Sequence, residues 1–369
     1  MFPIRSSGSR LMGRGVLLKP FDFDIFDSMF DGTGADLKDL YFLTGVTFVN
    51  TGNYHVSGKL ERRGTHFRFS DLIATFGQSD LRGIVSIETL SGRPKFDANL
   101  NSQFLRLSDI GARAVHRDSE TDQDTPLLLS NAMLNLNTLR RGDADINFRA
   151  RRAAVGNVSL QEIAARVSIS HGVLTIEQLV ANLLEGKLLA HGKLDATTRN
   201  PAAALDLKFT DKQLGQLGHK RAGKPPLEGL MRIRIAVTGH GSSLHQVAAS
   251  SEGTVAAVLP HGVIRTSLAE LTGINLQGLA GLLTKNTEET AVRCAVASFT
   301  AHKGVLTAQK LVVDTVPLLI TGDGSISSGI RGPRSRSSRS SQRVTVFTIA
   351  FAHISARHTD PARDRYPGT

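Results

Sequence analysis

The chain has 369 residues, a formal net charge of +11, one cysteine and no tryptophan, and its apolar fraction of 40% excludes a wholly disordered polypeptide. A lone Cys294 excludes an intramolecular disulfide and a cysteine-based zinc site. Residues 331–369 hold eight Arg against Asp360 and Asp364, so the body is only mildly basic; with its Lys and Arg spread along the chain and few aromatics to stack bases, nucleic acid is not an expected partner.

Residues 1–39 read as a poorly defined lead-in: they lack the long apolar stretch of a signal peptide. No run approaches the ~20 apolar residues of a membrane span, so no export signal or anchor is expected within the given sequence. From about residue 40 the pattern alternates with period two. Phe67 and Phe69 flank Arg68, and Ala144, Ile146, Phe148 and Ala150 interleave with Asp145, Asn147, Arg149 and Arg151. Val167 and Ile169 continue the series, as do Ile233, Ile235 and Val237 between Arg232, Arg234 and Ala236. Such alternation predicts strands with one dry and one wet face, and the Gly, Asn and Asp clusters between them predict a long antiparallel meander. One segment differs: Ser267 to Glu270 is a capping box followed by Leu271, Ile274, Leu279 and Leu282, which predicts a helix over 267–285. Gly322-Asp323-Gly324 reads as a hairpin turn. Beyond residue 326 the composition changes to Arg, Ser, Gly and Pro, so 327–369 is an atypical basic tail, largely disordered apart from 344–354. A reading-frame change would produce this switch and leave the last hairpin with an unpaired edge; the alternative is a basic tail that touches anionic headgroups.

The body repeats itself. "GVLTIEQLVANLLEGKLLAHGKL" from Gly172 and "GVLTAQKLVVDTVPLLITGDGSI" from Gly304 align without a gap, and a weaker third copy from His66 places Leu72 on Leu179. In that copy Gly83 comes two residues before the position of Gly192 and Gly324, an offset that leaves every side chain on its own face. The unit is strand, turn, strand, glycine turn, strand, and its recurrence predicts a mainly β, elongated and curved antiparallel sheet or groove with one or two short helices.

Reactive constellations are weak. His240 and His245 flank serines in "GHGSSLH", but no nucleophile elbow occurs, and a polar turn explains them. "DADIN" from Asp143 begins like a calcium loop, yet Phe148 and Ala154 occupy its required Gly and Glu positions. Asp80 and Asp314 read as single carboxylates with no evident partner, accepting from turns or edges. His191, His302 and His353 show no ligand spacing. No catalytic, metal or cofactor site is expected.

"FGQSDLRGIVSIETLSGRPKFDANLNSQFLRLSDIGA", 76–112, and "AVRCAVASFTAHKGVLTAQKLVVDTVPLLITGDGSI", 291–326, resemble the two terminal motifs of the bacterial AsmA family. The likeness spans about 40–326, read as one repetitive β domain, and departs from the family pattern at one position, where Lys303 replaces the acidic residue before the signature glycine. The resemblance implies a Gram-negative envelope protein, periplasmic, with members anchored in the inner membrane, whose β-groove belongs with TamB and chorein-like bridges. It implies a non-enzymatic role in lipid transport, outer-membrane biogenesis or membrane homeostasis. Its partners would be phospholipid or another acyl-chain lipid, the inner and outer membranes, and other envelope proteins. A groove of this kind would be lined by the alternating apolar positions Phe67, Phe69, Ile146, Phe148, Val167, Ile169, Ile233 and Ile235. Burying about 15 lipid methylenes at ~0.8 kcal/mol each is worth on the order of 12 kcal/mol. Two alternatives are a closed sandwich or β-helix and a structural or adhesive repeat protein that holds no lipid.

Overall fold

In the computed structural model of the chain, residues 2–6, 9–17, 22–37, 51–89, 92–110, 136–156, 158–183, 186–211, 227–265, 289–316, 318–327 and 347–356 are described. They are mainly β, with two short α-helices among them, and fall into two units: 1–207 with 238–250, and 208–237 with 251–369.

The first unit begins with β1 (Phe2–Ser6), β2 (Ser9–Leu17) and β3 (Ile25–Gly34), so the lead-in is itself strand. It continues through β4 (Tyr54–Arg63), β5 (His66–Phe76), β6 (Ser79–Glu88) and β7 (Lys95–Arg106). The helix Leu136–Arg141 precedes β8 (Asp143–Val155), β9 (Val158–Ser170), β10 (Val173–Leu183), β11 (Gly186–Asp195) and β12 (Ala202–Asp211), whose last residues belong to the second unit. From β1 to β11 each strand pairs with the next, antiparallel at every step but one. The exception corrects the expected meander: β7 and β8 are parallel, because the connection 107–142 is long enough to carry the chain back to the starting end of β7.

The second unit contains β13 (Leu227–Gly229), most of β14 (Met231–His240), β15 (Glu252–Leu259), β16 (Gly262–Arg265), β17 (Glu289–His302), β18 (Val305–Thr315), β19 (Leu318–Ser327) and β20 (Phe347–Ala356). β15 and β16 lie along the same edge of β17 in a single register, Leu259 opposite Ala295 and Gly262 opposite Val292. They are one strand interrupted at Pro260, which has no N–H to give the ladder. β18, β19 and β20 follow antiparallel.

The repeat has a structural signature that the letters only half reveal. In all three copies the ladder to the following strand shifts register and resumes at the aligned leucine: Leu72 opposite Gly83, Leu179 opposite Ala190, Leu311 opposite Gly322. Gly83 therefore matches Ala190 and Gly322 with no offset. It also follows that Gly83, Gly192 and Gly324 are not turn residues. They sit inside β6, β11 and β19, and the strand runs straight through Gly322-Asp323-Gly324. The two later copies share the geometry of the turn before the repeat: His171 (φ 50°) with Gly172 (φ 84°), and Lys303 (φ 48°) with Gly304 (φ 74°), the positive-φ pair that matches the twist of a two-residue hairpin.

The helix over 267–285 lies outside the described residues, as do 328–346 and 357–369 of the tail. The unpaired edge on β19 is corrected: Leu318 to Ile326 pair with Ala356 to Phe347, so β20 covers it. The alternation of Phe347, Ile349 and Phe351 within the tail is what suits that segment to a ladder.

Candidate functional site

Directly opposed residues on neighbouring strands put their side chains on the same side of a sheet. In the first unit this builds one apolar face from three rows. Leu60 on β4 leads to Phe69, Val85, Ala98, Ile146, Val167 and Ile176 on β5 to β10. Beside it run Phe67, Ile87, Phe96, Ala144, Ile169 and Leu174. The third row, beyond the register shift, is Leu72, Gly83, Leu100, Phe148, Ala165 and Leu179. The opposite face carries Arg68, Ser86, Asp97, Asp145, Ser168 and Thr175 in register.

Six of the eight sequence-predicted positions, Phe67, Phe69, Ile146, Phe148, Val167 and Ile169, thus share one face. Ile233 and Ile235 lie on β14 in the second unit, half-buried between the exposed Arg232 and Arg234. The face is only partly covered. Phe67, Phe69, Ile146, Phe148, Val167 and Ile169 are all half-buried, whereas Ile87 is 1% exposed and is the only large side chain among the described residues that is buried to that degree. Phe30 meets Phe69 edge to face at 5.7 Å, and Arg62 lies 5.0 Å over the ring of Phe67.

Simple alternation does not persist along the strands. Asp71 (φ 52°) and Glu162 (φ 47°) are extra residues at irregularities, so the buried phase steps from Phe69 to Leu72 and from Ile163 to Leu160. On β8 it steps in the same way from Ala150 to Ala153. Small buried clusters form where the phase has stepped: Tyr54, Val56, Ala74 and Phe76 in one, Ala150, Ala153, Ile163 and Ala181 in the other.

The sequence motif at 76–109 is a clamp beside this face. Asp109 accepts from the Gln78 N–H (2.9 Å) and the Ser79 hydroxyl (2.8 Å), and Ser79 Oγ accepts from the Arg106 N–H (2.9 Å). Asp80, read from sequence as a turn or edge acceptor with no evident partner, accepts from two consecutive backbone N–H groups, Gln103 (2.9 Å) and Phe104 (2.8 Å). The β6–β7 ladder ends at Arg82 opposite Asn101, so this carboxylate stands in for absent backbone carbonyls. Its partners lie more than twenty residues away in the chain, which is why spacing could not reveal them.

A second clamp joins three strand ends. Asp143, at the start of β8, accepts from Arg93 (Nε 2.9 Å, a terminal nitrogen 2.8 Å) and from the His171 N–H (2.8 Å), while Arg93 also donates to Arg140 O (2.8 Å). In the second unit Glu252, at the start of β15, accepts from the Lys303 N–H (3.0 Å) and lies 3.0 Å from His302 Nδ1. Both copies therefore fix the positive-φ turn residue with a carboxylate two strands away. The Lys303 side chain is exposed; its backbone makes the contact.

The Arg93 guanidinium, helped by the His171 N–H, holds the Asp143 carboxyl below the usual carboxylate range. A depressed folded-state value means the stabilisation is present above the unfolded value near 3.9 and is lost as pH falls through the folded one. Asp143→Asn is accordingly expected to be about 1–2 kcal/mol less stable than the native chain at pH 7 and to lose part of that difference at about pH 3, below the unfolded value. Urea denaturation across that range measures it, and a constant difference at both pH values would refute the assignment.

Comparison with known proteins places this architecture. The AsmA family model matches residues 45–311. The chain is 23% identical over 351 residues to AsmA family protein YhjG of Escherichia coli (strain K12), an alignment covering 88% of this chain and 51% of that protein. The chain thus spans about half the length of the curated relative it matches. No solved structure matches it significantly. No described helix is long and apolar enough to cross a membrane. With the family model matched over most of its length, including the Phe76–Asp109 clamp, the chain belongs to the AsmA family, an envelope-associated family not known for enzymes.

Proposed function

We propose that this protein is a non-enzymatic, periplasmic lipid-binding or lipid-transfer protein of the Gram-negative envelope, serving outer-membrane biogenesis or membrane homeostasis. The observation that carries the reading is the continuous, half-covered apolar face over β4 to β10. A sheet face of this composition gains by covering itself, and acyl chains laid across the rows supply apolar cover without requiring a second protein layer. Phe67, Phe69, Ile146, Phe148, Val167 and Ile169 would line the contact, with Ile233 and Ile235 as a separate apolar strip on the second unit. Partners on this reading are phospholipid or another acyl-chain lipid, the inner and outer membranes and other envelope proteins.

The test is to purify the chain, extract it and look for phospholipid by mass spectrometry, followed by uptake of a fluorescent phospholipid. Stoichiometric lipid is expected. Lipid-free protein that also takes up no label would sink the proposal and leave a structural or adhesive sheet as the better account.

A further inference from the structure

The face opposite the apolar rows holds a second feature. Asn99, Asn147, Arg166 and Gln178 stand directly opposite one another across β7, β8, β9 and β10. In the next row Arg149 faces Ala164, which faces Val180. The short side chain of Ala164 between these longer neighbours leaves a depression of about 240 Å³, walled by Arg149 and Arg166. Arg166 is oriented by its Nε, which donates to Asn147 Oδ1 (3.3 Å) and lies 3.9 Å from Glu177 Oε2. Among the described residues Arg149 makes no hydrogen bond or ion pair, and no carboxylate lines the depression.

Two guanidiniums at a concave surface suit a phosphate, whose oxygens match their forked donors. Carboxamides both donate and accept, which suits hydroxyl groups. We propose that this depression is a binding site for a phosphate ester of a small polyol, of the kind presented by glycerol phosphate, with Arg149 and Arg166 holding the phosphate and Asn99, Asn147 and Gln178 the hydroxyls. The site lies on the other face from the proposed lipid contact and does not depend on it. The same chemistry is presented by a free phosphate ester and by a phosphatidylglycerol headgroup.

Isothermal titration of the full chain with sn-glycerol 3-phosphate is expected to show saturable binding of one equivalent. Arg149→Gln and Ala164→Phe, both at exposed positions, should each weaken it at least tenfold with unchanged circular dichroism, whereas Lys193→Gln should change it less than twofold. Inorganic phosphate should bind at least threefold more weakly, for want of hydroxyls. Competition by phosphatidylglycerol vesicles would identify a lipid headgroup as the source, and its absence a soluble ester. No saturable binding, or binding indifferent to both site variants, would overturn the proposal. Equal affinity for inorganic phosphate would overturn the polyol assignment.

Discussion

Gly83→Ala is expected to remove about 2–5 kcal/mol of stability, a large share of the roughly 5–15 kcal/mol that holds an ordinary domain folded. Gly83 has φ 152°, and a Cβ placed on it would run into Asn99 O on the neighbouring strand, a backbone atom that cannot swing aside. Gly83 is also where the β5–β6 ladder resumes after its irregularity, opposite Leu72. The equivalent position in the second copy is Ala190, opposite Leu179, so the repeat admits a methyl group where the local backbone differs. Gly192 is the control: the nearest atom to an added Cβ is Ile176 Cδ1 at 3.4 Å, so Gly192→Ala should stay within about 1 kcal/mol of the native chain. Urea midpoints of the two variants decide the matter. A Gly83→Ala loss no larger than that of Gly192→Ala would show that the close approach relaxes freely.

Ile146→Asp should reduce bound lipid at least fivefold while leaving the β-rich circular dichroism in place. Ile146 sits mid-row between Ala98 and Val167 on the half-covered face, so an introduced carboxylate there would keep some contact with water while spoiling the apolar surface offered to an acyl chain. Arg68→Asp, exposed on the opposite face, should leave lipid unchanged. A closed core responds differently, because a buried unpaired charge costs several kcal/mol and the chain would unfold. Loss of fold together with lipid in Ile146→Asp would therefore favour a closed core over an open face. Retained lipid in a folded Ile146→Asp protein would remove this row from the proposed contact.

The depression beside Ala164 was not legible in the letters. Asn99, Asn147, Arg166 and Gln178 are scattered over four strands and read individually as the wet phase of alternation; only the register, including the parallel step between β7 and β8, sets them in one row. The same register gives meaning to the apolar residues. Phe67 and Ile146 announce strands by period two, but whether they face the same way depends on every intervening pairing.

What the sequence determined by itself is local or repetitive: the strands, since side-chain alternation is a property of consecutive residues; the duplication from Gly172 to Gly304; the family motifs; and the apolar side of each strand up to its first irregularity. What the tertiary structure decided depends on residues distant in the chain. It made Gly83 and Gly324 strand interior and not turn, because bulges and not glycines shift the ladder. It gave Asp80 and Asp143 their partners, because the N–H groups and the guanidinium they satisfy come from other strands. It covered β19 with β20, because an open ladder of N–H and C=O groups accepts a strand from anywhere along the chain that can reach it.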